Sequence, residues 1–384
     1  MNADETQKGG LYIHVPFCLK KCAYCDFYSE AGLGAAPRYV EMLEREMALR
    51  SDRGTLYDTV YMGGGTPSAL EPEHIARILA AVRRNFRLAE DTEITLEANP
   101  GTIDLDRLKG YREGGVDRLN IGIQSFSPEN LQFLGRIHTA EEAMAALENA
   151  RAAGFKKLGL DLIYGLPGQT EEAWIRDMGT ALYIFPEHLS CYMLTYEPGT
   201  PLEKMRAEGR FTPLPDDAVK RLFEVTGSWL ADRGYERYEV SNFAPARKLR
   251  SRHNLKYWTF APYKGFGPSA HSFGEGRRSW NVADLGKYLE RLGGGELPVE
   301  ETENLQREQL MIEAIYLGLR MKEGVDIARF ERMFDIRFME LFAPVIESQA
   351  AAGRLRTEGG RCFLTDEGMA FLDGVTALFV KCDF

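Results

Sequence analysis

Along the first half of the chain, short apolar runs alternate with longer amphipathic stretches. The runs cover residues 11–15, 59–62, 93–98, 118–123, 157–163 and 189–194, each of strand length. Between them, residues 36–50, 73–86, 140–153 and 171–184 repeat apolar side chains at helical spacing. Alternation of this kind predicts a parallel sheet with helices packed outside it. A doubly wound open sheet satisfies the pattern. A barrel or partial barrel fits better, because polar signals gather at the C-terminal ends of several strands. The tail predicts helices over 305–321, 326–334 and 338–350, a hairpin over 354–365 around Glu358-Gly359-Gly360, and a last helix. Helices followed by a hairpin suggest a smaller α+β domain of winged-helix-like character. Three regions are expected: 1–240, a connecting segment over 241–300, and 301–384.

The polar signals are specific in position. Gly63-Gly64-Gly65-Thr66-Pro67 follows the second run, and Glu97-Ala98-Asn99-Pro100 closes the third. Gln124-Ser125-Phe126 closes the fourth, while the fifth carries Asp161 and enters Gly165-Leu166-Pro167-Gly168. Each alone is more often a turn than a site. Four on one sheet edge are hard to read as turns. Glu97 and Asp161 sit in or beside apolar strands, where an unpaired charge is costly, and this favours a binding role over a helix cap or a surface ion pair.

The first run leads into the strongest chemical signal. Cys18, Cys22 and Cys25 fall within eight residues, and the remaining Cys191, Cys362 and Cys382 are scattered. A closed zinc site wants four ligands, usually two separated pairs, and no second pair is present. Three thiolates suit an iron–sulfur cubane with one iron left open to a small ligand. Lys20 and Lys21 should lower the thiol pKa values. Three reduced core cysteines are the plain alternative, as is a zinc-stabilised barrel.

Composition then narrows the class. The chain has 384 residues, 47 Lys+Arg against 57 Asp+Glu and a net charge of −10, which argues against a nucleic-acid coat. From residue 240 to 274, however, there is no Asp or Glu. Arg247, Lys248, Arg250, Arg252, Lys256 and Lys264 are interleaved there with Tyr257, Trp258, Phe260, Tyr263 and Phe266, alongside His253 and His271. Such a segment either attracts a flat anion or is a solvated basic loop packing its aromatics on the barrel. Residues 301–384 carry 10 Lys+Arg and 15 Asp+Glu, a net of −5, so the expected wing lacks a DNA-binding footprint. No apolar run reaches membrane-spanning length, and Met1 to Gly10 is polar rather than leader-like, which leads us to expect a cytoplasmic protein.

The sequence resembles the radical S-adenosylmethionine (SAM) superfamily through Cys-x-x-x-Cys-x-x-Cys and the glycine-rich strand end after it. More narrowly, it resembles the oxygen-independent coproporphyrinogen III oxidase family over nearly its whole length. The matching phrases are Tyr12-Ile13-His14-Val15-Pro16-Phe17-Cys18, Gly63 to Pro67, Glu97 to Pro100, Asn120 to Phe126, and Asp161 to Pro167. Within that family it is more similar to heme chaperones than to the oxidases. The oxidases begin with an extra N-terminal segment, whereas here the strand into the cysteines starts at Leu11, and Phe27 stands where they carry a fourth cysteine. Its His253-Asn254-Leu255-Lys256-Tyr257-Trp258 matches the His-Asn-x-x-Tyr-Trp motif of the chaperones.

The resemblance implies a partial (β/α)6 barrel and a [4Fe–4S] cluster on Cys18, Cys22 and Cys25. It implies SAM contacts from Tyr12, Gly64, Gly65, Thr66, Glu97, Gln124, Arg136 and Asp161. It also implies heme as cargo, with His253, Asn254, Tyr257 and Trp258 as candidate heme residues, His253 as axial ligand and Arg250 or Arg252 meeting the propionates. Apo-hemoprotein acceptors, a homodimer and peripheral membrane contact through partners belong to the same expectation; nucleic acid does not. The alternative is the oxidase itself, which decarboxylates coproporphyrinogen III in porphyrin biosynthesis.

Overall fold

The computed structural model describes residues 8–382. Residues 1–7, on which most of the reading of the amino terminus rests, lie outside the described residues. Six parallel strands form the frame: β1 (Gly9–Val15), β2 (Asp52–Gly64), β3 (Phe86–Ala98), β4 (Arg118–Gln124), β5 (Leu158–Tyr164) and β6 (His188–Met193). Each pairs in parallel with the next, so strand order follows chain order. The helices α1 (Ala36–Leu49), α2 (Pro72–Asn85), α3 (Leu105–Gly114), α4 (Ala140–Ala152) and α5 (Glu171–Leu182) make the crossovers, and α6 (Asp216–Ala231) follows β6. Among the described residues the sheet's two end strands do not pair with each other, so the barrel is partial.

Local chemistry accounts for these elements. Thr139 caps α4 through a reciprocal box with Glu142, and Thr170 caps α5 through the Ala173 amide. The outer faces of the strands bury Leu11, Ile13, Val60, Met62, Leu119, Ile121, Leu160 and Leu162 against the helices. The alternate residues, Thr59, Tyr61, Thr95, Glu97, Asn120 and Asp161, point the other way, into the barrel.

The acid-free segment is built into this sheet. Its strand β7 (Tyr263–Phe266) pairs in parallel with β1, outside the barrel frame. Further antiparallel strands, His271–Gly274, Arg277–Asn281 and Val299–Asn304, extend the same edge. Helix α7 (Arg252–Trp258) runs beneath the N-terminal ends of the barrel strands, and α8 (Leu285–Gly293) packs against α1. Four of the six basic side chains are held by carboxylates. Arg252 meets Asp58 at 2.8 Å and Asp91 at 3.1 Å, and Lys256 meets Asp58 at 2.6 Å. Lys264 meets Asp52 at 2.8 Å, and Arg250 is paired with Glu323. A free basic face for propionates at Arg250 and Arg252 is therefore not what the structure presents.

The C-terminal unit contains α9 (Arg307–Arg320), helices over Ile327–Phe334, Phe338–Leu341 and Ala343–Ala351, a hairpin of Leu355–Glu358 and Arg361–Leu364, and α10 (Leu372–Phe379). A short strand, Val325–Asp326, completes its three-stranded sheet. These elements do not by themselves establish winged-helix character. The single helix expected over 338–350 is broken at Phe342, because Pro344 has no amide hydrogen and disfavours helical backbone before it.

Candidate functional site

The C-terminal ends of the strands open onto one cavity of about 1120 Å³. The cysteine loop forms one wall. It leaves β1 at Val15, and a two-residue strand, Phe17–Cys18, pairs with Glu30–Ala31 to close the loop. The glycine triplet fastens it: the Gly65 amide donates to Val15 O at 2.8 Å, and the Thr66 amide donates to Phe17 O at 2.7 Å. Gly64 has φ +103, and a Cβ there would lie 2.5 Å from the His14 ring. Any side chain at that position would push the loop off its seat.

Two of the thiols receive hydrogen bonds. Thr66 Oγ1 donates to Cys18 Sγ at 3.4 Å, and Arg136 Nη1 donates to Cys22 Sγ at 3.4 Å. Burial pushes the Cys25 thiol up to about 11, outweighing the expected lowering by Lys21, whose ammonium binds Phe27 O. A metal that replaces the proton removes this penalty. Among the described residues no three Cys, His, Asp or Glu side chains converge on one point as a single ion requires. Three cysteines on one loop, with donors on their sulfurs, instead fit a cluster whose irons take one thiolate each.

Two half-buried carboxylates line the same cavity. Glu97 accepts from Tyr61 OH at 2.6 Å and from the Gly64 amide at 3.2 Å. Asp161 accepts from Asn120 Nδ2 on both oxygens, at 2.9 and 2.8 Å, and burial raises its pKa. Arg136 donates to Gly122 O at 2.6 Å, and its buried Nε lacks a partner. Gln124 holds a left-handed backbone, φ +72, at a register shift between β4 and β5. Strain of this kind is stored where a side chain must be aimed. These groups fit SAM: acceptors for ammonium and hydroxyls, a guanidinium for the carboxylate, and bare glycine backbone for close approach.

Burial, reinforced by Asp161, pushes Glu97 from the ordinary 4.5 up to about 7, against the opposing Tyr61 bond. The folded chain then keeps a proton that the unfolded chain has released, so this group's share of stability is present below about pH 4.5 and is lost as pH rises towards 7. We expect Glu97→Gln to be more stable than the parent by about 2–3 kcal/mol at pH 8, the gap closing near pH 4.5. Urea unfolding of the two ligand-free proteins at both pH values measures it.

The expected residues divide into two groups. Cys18, Cys22, Cys25, Gly64, Gly65, Thr66, Glu97, Gln124, Arg136, Asp161 and Asn254 line the cavity. Tyr12, His253, Tyr257 and Trp258 are not among the residues that line it. His253 is 1% exposed, with Nδ1 on Thr59 Oγ1 at 2.8 Å and Nε2 on Tyr257 OH at 2.9 Å. Tyr61 stacks on its ring at 5.0 Å, and burial pushes its pKa down to about 3. Trp258 packs under the Arg320 guanidinium at 4.4 Å. Sequence reasoning missed Tyr61 and Asn120, although period-two alternation from Gly63 and Gln124 places both inside the barrel. It also missed Arg320 and residues 369–374, which close the cavity from the C-terminal unit and carry no local signal.

Comparisons with known proteins agree with this geometry. Residues 12–180 match the radical SAM superfamily, and residues 305–371 match the HemN C-terminal domain. The heme chaperone HemW of Bacillus subtilis is 33% identical over 374 residues, 96% of this chain and 98% of that protein. The chain belongs to the heme chaperone HemW family. The HemW of Escherichia coli K12 is 35% identical over 385 residues, and that of Mycobacterium tuberculosis H37Rv is 37% identical over 377. These alignments cover 96% of this chain and 97% and 94% of those proteins. Among solved structures, coproporphyrinogen III oxidase (HemN) from Escherichia coli aligns with a TM-score of 0.84 at 24% identity, over 98% of this chain and 90% of that one. That likeness shows the fold. The HemW family thus rests on a radical SAM scaffold, with a separate C-terminal domain after the barrel.

Proposed function

We propose that the protein binds heme and passes it to apo-hemoproteins of the respiratory chain, on a scaffold that also holds a [4Fe–4S] cluster and SAM. The observation that carries this is near-full-length similarity to HemW chaperones, with Phe27, 62% exposed, standing where the oxidases have a fourth cysteine. Cys18, Cys22 and Cys25 hold the cluster. Arg136 pairs the SAM carboxylate, Glu97 and Asp161 accept from its ammonium and ribose hydroxyls, and Gly64, Gly65, Thr66 and Gln124 shape the contact. Bound together, cluster and SAM supply one-electron chemistry. The chain's own part is to orient the ligand, hold the Glu97 proton and keep the thiolates paired. A reducing cytoplasm suits three ligating thiolates, and delivery at the membrane through partner proteins is part of the same proposal.

Heme has room at the cavity mouth, where Tyr192, Met193, Tyr316 and Phe371 are wall residues. The volume exceeds that of an ordinary single-ligand site. A ligand role for His253 requires its Nε2 to release Tyr257 and Tyr61 to leave its ring. On that assignment, His253→Ala should lose the parent's Soret spectrum and heme affinity while keeping its circular dichroism. Retention of both would remove His253 as the ligand.

A second reading, oxidative decarboxylation of coproporphyrinogen III, is favoured by one observation: the SAM-site side chains other than Tyr12 all line the cavity. Anaerobically reconstituted protein separates the two. A chaperone leaves coproporphyrinogen untouched, binds hemin and loads an apo-hemoprotein; an oxidase converts the porphyrinogen with stoichiometric loss of SAM. Turnover without heme transfer would reverse the proposal.

A further inference from the structure

Three side chains at the cavity floor are buried with a polar atom unpaired. Thr95 is 1% exposed, Arg118 2% and His188 1%, and all three residues line the cavity. Thr95 and Arg118 are register partners on β3 and β4, and His188 is the register partner of Gly159 between β6 and β5. Thr95 Oγ1, Arg118 Nη2 and His188 Nδ1 have no hydrogen-bond partner. A buried polar atom left unmet costs about 1–3 kcal/mol, so three on residues lining one cavity call for an explanation.

Their chemistry has a common sense. Arg118 Nη1 donates to Leu249 O at 3.1 Å and forms a buried ion pair with Glu93 Oε2 at 3.5 Å, while the other Glu93 oxygen takes the Arg252 amide. Nη2 is left as a charged donor. His188 Nε2 lies 2.7 Å from Tyr238 OH, and that oxygen already accepts the Ser251 amide. With the Tyr238 hydroxyl proton directed to Nε2, the single ring proton of the neutral imidazole sits on Nδ1. Gly159 has no side chain, and a Cβ there would stand 3.4 Å from Nδ1. Two N–H donors and a hydroxyl remain without an acceptor.

We propose that the barrel floor is a carboxylate subsite. An acceptor with two oxygens can take the free Arg118 Nη2 on one oxygen and leave the other for the imidazole or hydroxyl. Thr95 precedes Glu97 by two residues on the same strand face, which places Thr95 and its partner Arg118 about 7 Å below Glu97, with His188 level with Glu97 by register. That depth suits a carboxyl group on a short alkyl arm, the shape of a porphyrin propionate. Naming the propionate rests on the heme reading above; the subsite itself does not.

The test uses reconstituted full-length protein titrated with protoporphyrin IX, its dimethyl ester, hemin and sodium acetate. Free-acid protoporphyrin should bind the parent at least about tenfold more tightly than the ester, an effect expected of charge-assisted hydrogen bonds. Arg118→Gln should erase this preference. Thr95→Val, isosteric and free of the unpaired hydroxyl, should weaken it severalfold at unchanged or higher thermal stability, so a misfolded Arg118 variant does not decide the matter. Equal binding of acid and ester by the parent overturns the subsite, as does a preference that survives both substitutions. Saturable acetate binding that abolishes the preference assigns the floor to free small carboxylates and overturns the propionate. Absence of hemin binding with the preference intact overturns the heme reading and leaves the subsite standing.

Discussion

Replacing Cys22 by alanine is expected to strip the protein of its iron–sulfur cluster. Weakening a side chain that merely supports a metal ligand typically costs about 10–100-fold in affinity, so loss of one of only three ligands should cost at least as much. Iron and acid-labile sulfide per chain should fall more than about tenfold after anaerobic reconstitution, with loss of the brown visible absorption. Cys18→Ala and Cys25→Ala should behave alike, because all three thiols sit on the loop clamped by Gly65 and Thr66. Cys362→Ala should keep the cluster. That thiol is 0% exposed within the C-terminal hairpin, where burial raises its pKa to about 12, and it behaves as a small apolar side chain. Full iron content in Cys22→Ala would remove the cluster from this loop and the SAM proposal with it.

The second large effect concerns stability. Glu46 is 0% exposed, and its two oxygens take four donors, three of them from residues more than 200 positions away. Arg50 Nη1 donates at 2.7 Å, Asn281 Nδ2 and Tyr288 OH at 2.8 Å, and the Gly267 amide at 2.9 Å. This carboxylate bolts α1 to the segment following β7 and to α8. Glu46→Ala leaves a buried amide, a phenol and part of a guanidinium without their acceptor, and should cost about 3–5 kcal/mol. Glu46→Gln keeps one acceptor oxygen and should lose roughly half as much. Chemical denaturation of the two variants distinguishes this from a surface ion pair, whose removal costs about 1 kcal/mol or less.

Much of the barrel was legible because its signals are local. A strand such as residues 118–124 announces itself through alternation, and Thr139 and Thr170 mark helix starts within four residues of sequence. The cysteine loop and the carboxylates Glu97 and Asp161 were legible for a related reason: chemistry-bearing residues stood at a strand end or as a lone charge within an apolar strand. What escaped depends on pairings distant in sequence. Nothing near Arg252 or Lys256 reveals that Asp58 and Asp91 pair with them, so the segment reads as a basic face although it is packed against the barrel strands. His253 looks available in sequence because neither Thr59 nor Tyr257 signals a claim on its nitrogens. Closure of the cavity by residues 369–374 is likewise a tertiary fact.

The placement of β7 beside β1 bears on how the chain is made. The amino-terminal strand finds its outer neighbour only when residues 263–266 exist, roughly 250 positions later, a separation that slows folding. At ribosomal speeds of about 5–20 residues per second, that interval is on the order of 12–50 s. Throughout it, one hydrogen-bonding edge of the nascent barrel is bare and open to pairing with a neighbouring chain. Overexpression in the cold, where translation lags further, should therefore favour inclusion bodies unless a trigger-type holdase shields that edge.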